Sequence, residues 1–499
     1  MSTILADRAE VPLVLALDLG SSSARAIVYD GRGREVAGTE GRSPWSWTMT
    51  PDGGVEGDPD ALLDRAFTAV DAALAAAGGR AAQIVAVGVS TFWHNIMGVD
   101  SNGRPATPLY SWADERSAGA AQSLRDRLDE RAVRRRTGCV FHPSYPAARL
   151  LWLRTARPAA WGGTRTWMSI GEYLALRCFG RAACSVSMAS GTGMFDQERC
   201  EWDAEVLAAV GVNPDRLSPI VDLDSPVAGL VPEFAARWPV LARKPWLPAA
   251  GDGALSNLGT GCVGSARAAL VVGTSGALRV LRREAPSEPP EGLWHYRLDR
   301  EWLLTGGAVS NGGNVFRWVL DQVAVGSERD IEQALRTRRP DGHGLTVLPF
   351  LAGERSPNWP LHARGAVVGL TLATEPLDLL QAALEAVALR MGLIWDRLRA
   401  AVPQTAEIIA SGGALLHSPA WLQIMADVIG HEIIASAEAE GSSRGAALLA
   451  LEQAGAGRAD RVPAPLGTRY QPDPERHGRY REAKARHLRV EAALDPLQA

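Results

Sequence analysis

Long hydrophobic runs are missing from this chain. None of its 499 residues fall in an uninterrupted apolar stretch of the roughly 20 residues that cross a bilayer. Residues 1–10 hold no apolar core of the kind that marks a secretory signal. Membrane insertion and export are therefore not expected, and the chain reads as soluble and cytoplasmic. An excess of one charge is missing as well: 52 Lys and Arg stand against 56 Asp and Glu, a formal net charge of -4. With no basic surplus to displace counterions from a phosphate backbone, no nucleic-acid partner is expected. Cysteine is scarce. The five present (Cys139, Cys178, Cys184, Cys200 and Cys262) are scattered and lack the paired or histidine-adjacent spacing of a zinc site, so they read as free thiols.

Core material is plentiful: 46% of the residues are hydrophobic, enough at this length for two large lobes. Two distant segments, 13–30 and 269–281, share one pattern of strand, tight hydroxyl-rich turn and strand. The first turn carries Asp18-Leu19-Gly20-Ser21-Ser22 and the second Gly273-Thr274-Ser275-Gly276. Such turns present successive backbone N–H groups and hydroxyls to an anion. One copy alone is an ordinary hairpin; the pair implies a duplicated architecture closing on one polyphosphate. Asp18, at the end of its strand, makes chemical sense if Mg²⁺ lies between its carboxylate and that phosphate.

Elsewhere strands and helices alternate. Asp58 as cap and Pro59 in the first turn open a helix that Gly78-Gly79 stops. An apolar strand at 83–89 empties into Ser90-Thr91-Phe92-Trp93-His94-Asn95, polar groups at a strand end of the kind that line a cleft. Residues 125–136 read as a solvated, charged helical face, and 245–253 as the boundary between lobes. In the second half, strands are expected at 268–273, 301–305, 345–350 and 407–410. A helix from near Glu375 carries Leu380, Leu384, Val387 and Met391 at helical spacing, ended by Pro403; another runs from Ser418-Pro419 to Gly430. From Ala456 the chain turns polar and arginine-rich, with no sign of a further domain. The whole predicts an α/β fold of two lobes facing a cleft.

Asp252 sits between Gly251 and Gly253 where a helix begins. Asp is a good helix cap, but glycines on both sides let a substrate approach the backbone, which favours a base taking a proton from a hydroxyl that attacks a γ-phosphate. Ser411-Gly412-Gly413-Ala414, between strand and helix, clears room for a flat ring or a ribose. In the loop 348–359, Glu354 and Arg355 are expected to pair with each other and are given no catalytic part.

In this order, the motifs resemble the FGGY carbohydrate kinases of the actin-like ATPase superfamily, over about residues 13–455. Residues 144–153 resemble the first family signature, and 365–370 with 378–385 the second. Arg149 stands where the family usually has Lys, replacing a point charge with a planar fork. Within the family, Trp112-Ala113-Asp114-Glu115, Ile170-Gly171-Glu172-Tyr173 and Val309-Ser310-Asn311-Gly312-Gly313 are most similar to gluconate kinases.

The resemblance implies two ribonuclease H-like lobes around a central cleft: 11–248 with the sugar site and first phosphate turn, 249–456 with the nucleotide site, and 457–499 as a polar tail. It implies ATP and Mg²⁺, with Asp252 as base and sugar contact and Asp18 toward the metal. Ser21, Ser22, Arg25, Gly273 and Thr274 would hold phosphates, and Gly413 and His417 would border the adenosine. His94, Asn95 and Trp112 would meet the sugar. His94, His142, Arg116 and Arg149 are the groups from which a contact to a sugar-acid carboxylate is expected. Gluconate is the expected acceptor. A neutral ketose or polyol (xylulose, glycerol, erythritol) and, more distantly, a non-sugar actin-like ATPase stay open, as does a homodimer.

Overall fold

The computed structural model describes residues 3–498. Two seven-stranded sheets organise them. In the first, Leu13–Leu19 and Ser23–Tyr29 form an antiparallel hairpin, Ile84–Thr91 runs parallel beside Leu13–Leu19, and Ala250–Gly251 adds in parallel beyond it. The second repeats the plan. Arg267–Val272 and Gly276–Arg283 form the hairpin, Trp302–Val309 and Trp294–Arg297 extend it, and Glu407–Ser411 and Ile433–Ser436 run parallel on the other side. Leu13–Leu19 is buried at every position, which is why it reads as a continuous apolar run rather than an alternating one. The duplicated architecture expected from the paired turns is present.

Helix ends follow local chemistry. Asp58 accepts from the N–H groups of Asp60 and Ala61 to start Pro59–Ala77, and Gly78 ends it at φ 54°. Pro376–Ala401 buries Leu380, Leu384, Val387 and Met391, as their spacing predicts. Ser418 caps Pro419–Ile429 through the Trp421 N–H.

Three segments differ from the expectation. Residues 125–136 are split, because Asp129 caps a new helix: Ala118–Arg127 gives way to Glu130–Thr137. Their arginines are also engaged, Arg136 with Asp203 and Glu205, Arg131 and Arg135 with Glu288. Residues 245–251 run along the first sheet, through bridges from Trp246 to Val87 and Val227 and then its strand Ala250–Gly251, and 252–253 open the helix Asp252–Gly259. Within 457–499, Leu466–Tyr470 pairs with Ile433–Ser436, and Pro474–Gln498 lies against Pro376–Ala401 and Pro419–Ile429. Tyr480 of that last helix is buried and donates to Glu385 at 2.9 Å. The polarity of this segment is that of an edge strand and an outer helix.

The helix Gly441–Gln453 follows the second sheet's strand Ile433–Ser436 in sequence, yet it packs on Leu13–Leu19 and Ile84–Thr91 of the first sheet and on the helix Asp252–Gly259. Backbones meet there. A Cβ on Gly88 would lie 2.1 Å from the Ala446 carbonyl oxygen, and one on Gly445 2.0 Å from that of Leu255. All five cysteines are free and buried. No helix among the described residues is long and apolar enough to cross a membrane.

Candidate active site

Parallel pairing of Ala250–Gly251 with Ser90 and Thr91 carries Asp252 to the first position of its helix, where Gly251 is the cap. Its Oδ1 accepts from the Gly253 N–H at 2.7 Å. Burial raises its pKa to about 6, opposed by Arg279 and reinforced by Asp18. Such a carboxylate is ionised at neutral pH and still basic enough to draw a proton from a hydroxyl.

The flanking glycines serve a purpose other than the expected one of admitting substrate. A Cβ on Gly251 would lie 1.9 Å from the Trp93 indole; one on Gly253 would lie 2.1 Å from Arg279 Nη1 and 2.7 Å from Trp93. Trp93 is fixed from behind, its Nε1 donating to the Ser187 carbonyl at 2.9 Å. The glycines therefore seat Asp252 against an indole and a guanidinium. Gly251→Ala is expected to lower the unfolding free energy by about 1–3 kcal/mol, the usual cost of overpacking, and to lower kcat by shifting Asp252. An unchanged denaturation midpoint with an unchanged rate would refute this seat.

At the first turn, the Gly20 N–H donates to the Ser23 carbonyl at 3.0 Å. The carbonyls of Gly20 and Ser21 accept from the indoles of Trp45 and Trp47 at 3.1 and 2.8 Å, and that of Ser22 from the Trp45 N–H at 3.1 Å. With three of the turn's carbonyls held by tryptophans, its N–H groups and hydroxyls at Ser21 and Ser22 are not needed to satisfy them. Asp18 is buried beside it, Oδ2 lying 3.5 Å from Arg25 Nη2, while Oδ1 has no hydrogen-bond partner among the described residues. Arg25 also pairs with Glu440, the residue before the helix Gly441–Gln453. A buried carboxylate oxygen without a donor fits a hard cation.

At the second turn, the Gly273 and Thr274 carbonyls accept from the N–H groups of Gly313 at 2.7 Å and Gly312 at 3.1 Å, leaving Thr274 exposed. Gly412, at φ 92°, sits so close to the strand end that a Cβ would lie 2.4 Å from the Val272 carbonyl oxygen, and one on Gly313 would lie 2.6 Å from the Ala414 Cβ. Gly273, Thr274 and Gly413 are thus gathered at one end of the second sheet. His417 lies there too, exposed, its Nδ1 2.5 Å from the Gly413 carbonyl oxygen.

The residues expected to meet the sugar divide into groups. His94 Nδ1 lies 2.6 Å from the Gly191 carbonyl and so carries the proton; Nε2, 3.4 Å from the Tyr296 hydroxyl, is an acceptor. Burial pushes its pKa down to about 3, with Arg355 and Arg149 acting the same way. His142 is likewise pushed down to about 3, by burial first and then by Arg125 and Arg355. Neither histidine is the cation expected for a carboxylate. Arg149 is fully buried and donates to the carbonyls of His94, Asp114 and Pro143 at 3.1, 3.3 and 2.7 Å, tying three segments together. Arg116 is paired with Asp114 and Glu56, both at 2.6 Å. The Asn95 amide is spent on backbone, donating to Phe92 and accepting from the Ile170 N–H. Trp112 is covered on one face by Arg355, whose Cζ lies 4.7 Å from the ring.

Arg279 and Arg355 were not expected here. Arg279 interrupts the apolar run Gly276-Ala277-Leu278-Arg279-Val280-Leu281, a signal that the strand carries one buried charge toward a partner. Glu354 does not pair with the Arg355 side chain. It accepts from the N–H groups of Ser310 and Arg355 and faces Arg390 at 3.4 Å, all three carboxylate and guanidinium groups being buried.

The family model for the N-terminal domain of the FGGY family of carbohydrate kinases matches residues 13–259, and that for its C-terminal domain residues 268–454. A gluconokinase of Bacillus subtilis (strain 168) is 30% identical over 458 residues, covering 89% of this chain and 88% of that one. Among solved structures, a gluconate kinase from Lactobacillus acidophilus superposes with a TM-score of 0.86 at 25% identity, covering 97% of this chain and 98% of its own. A xylulose kinase from the same organism gives 0.87 at 26% identity, with the same coverage. Both family domains are matched across the two repeated sheets and their turns, and the chain belongs to the FGGY family of carbohydrate kinases, ATP-using phosphotransferases with the actin-like ATPase fold.

Proposed function

We propose that this kinase transfers the γ-phosphate of ATP to a hydroxyl of a small sugar acid, gluconate foremost. The observation that carries the chemistry is Asp252: a carboxylate whose pKa is raised to about 6, with only Oδ1 engaged by its own helix, and which feels the charge of Asp18, a second carboxylate with an unpartnered oxygen among the described residues. The acceptor hydroxyl gives its proton to Asp252, its oxygen bonds to the γ-phosphorus, and the bond to the ADP oxygen breaks. Ser21, Ser22 and Arg25 of the first turn and Gly273 and Thr274 of the second hold the phosphates, and Gly413 and His417 border the adenosine. Asp18 Oδ1 is the ligand this chain offers to Mg²⁺, which when bound neutralises charge on the transferred group. His94 Nε2 accepts from a sugar hydroxyl.

The acid is favoured by the gluconokinase and gluconate kinase among the similar proteins. The xylulose kinase likeness keeps a neutral ketose or polyol as the second reading. A coupled assay of ADP release over aldonic acids, ketoses and polyols tests it. Gluconate is expected to give the highest kcat/KM. A higher value for xylulose, glycerol or erythritol would reject the acid and leave the sugar kinase, and ATP turnover indifferent to every sugar would reject both.

A further inference from the structure

Buried cations without a carboxylate partner are costly, because the lost hydration is not repaid within the protein. Among the described residues, Arg355 has no carboxylate within ion-pair distance, although it is only 8% exposed. Of its five N–H donors one is paired in the structure, Nη2 to the Val309 carbonyl at 2.9 Å, and Nε is buried with no partner. The guanidinium lies on Trp112 and interacts electrostatically, beyond ion-pair distance, with Tyr296, Glu354, Tyr145 and Asp252; His94 and His142 feel its charge in turn. His94 is among the residues from which a sugar contact is expected, and Asp252 feels the charge of Arg355 as well. Arg25 and the first phosphate turn answer to Asp18 and Glu440 instead.

The other four cationic candidates in this pocket are already used. Arg149 is spent on carbonyls, Arg116 on two carboxylates, and both histidines are neutral. Arg279, the second cation beside Asp252, lies against the backbone of Gly253 on the Trp93 side, where it offsets the cost of ionising Asp252. A planar fork with free donors, anchored on an aromatic ring, suits one kind of ligand group well: a carboxylate bound in bidentate fashion.

We propose that Arg355 reads the carboxylate of the acceptor and sets the preference of this kinase for sugar acids over neutral polyols. The proposal rests on the sugar-acid reading above. A charge-assisted contact of this type corresponds to about ten- to hundred-fold in kcat/KM between gluconate and the six-carbon alditol glucitol. Arg355 also lies near Asp252, so its removal will change the rate with every acceptor. The ratio between acid and alditol cancels that shared effect.

The test compares wild type, Arg355→Met and Arg355→Lys on gluconate and glucitol, with ADP binding by calorimetry as the check of folding. The wild type is expected to prefer gluconate, Arg355→Met to lose the preference through KM for gluconate, and Arg355→Lys to keep part of it. If Arg355→Met does not fold, Arg355→Lys carries the test through a raised KM for gluconate and an unchanged KM for glucitol. A wild type without preference for the acid would overturn the sugar-acid reading and this proposal with it. A wild-type preference that survives in a folded variant would overturn this proposal alone. So would a fall in kcat on both acceptors that leaves both KM values, and with them the preference, unchanged, which would assign Arg355 to the transferred phosphoryl group.

Discussion

Asp252→Asn is expected to lower kcat by about 10²–10⁴-fold, the range for losing a general base, while ADP and ATP bind nearly as before. The amide keeps the shape and the bond to the Gly253 N–H in reach, but it cannot take the proton. In the wild type, kcat/KM should rise with pH through about 6 and level off above, since the base works ionised. Stability should run the other way. The folded pKa lies above the ordinary value of 3.8, so the fold favours the protonated carboxyl, and that advantage is full below 3.8 and lost as pH rises through about 6. Asn mimics the protonated form, so the variant should melt higher than wild type at pH 8, with the gap closing toward pH 4. Wild-type turnover in the Asn variant would reduce Asp252 to a helix-start residue.

Asp18→Ala should cut turnover by about 10²–10³-fold, comparable to losing one fixed electrostatic contact to a transition state, and should raise the Mg²⁺ concentration needed for half-maximal rate. Acceptor affinity measured without nucleotide should scarcely change. Arg25 keeps Glu440 as a partner, so the first turn has a second hold when Asp18 is gone. Unchanged Mg²⁺ dependence together with an unchanged rate would remove Asp18 from the site.

Much of the scaffold could be read from local signals. The paired hairpins, the Asp58 and Ser418 caps and the helical spacing of Leu380, Leu384, Val387 and Met391 are each decided within a few residues, and the structure agrees at every one. The polar pocket was harder because partner choice is a long-range matter. Glu354 and Arg355 are neighbours in sequence, yet Glu354 turns to Arg390, leaving the Arg355 guanidinium to Trp112. Arg149 and Arg116 look like ligands in a string of letters. In space, the first is used up by carbonyls of three separate segments and the second by Asp114 and Glu56. The glycines around Asp252 invited a reading about substrate access, because nothing local says that Trp93, on the neighbouring strand's end, needs their missing side chains.

Chain order has a consequence for synthesis. Val14, Ala16 and Ala86 of the first sheet share one apolar cluster with Ala446, Ala447, Leu448 and Ala450 of the helix Gly441–Gln453. On a ribosome adding about 5–20 residues per second, the strand Ile84–Thr91 emerges about 20–70 s before the helix that covers it. Throughout that interval this apolar cluster lacks the part that Gly441–Gln453 supplies, and incompletely covered apolar surface is what holdase chaperones bind. The first sheet waits, in effect, for residues 441–453 to be translated before this face can close.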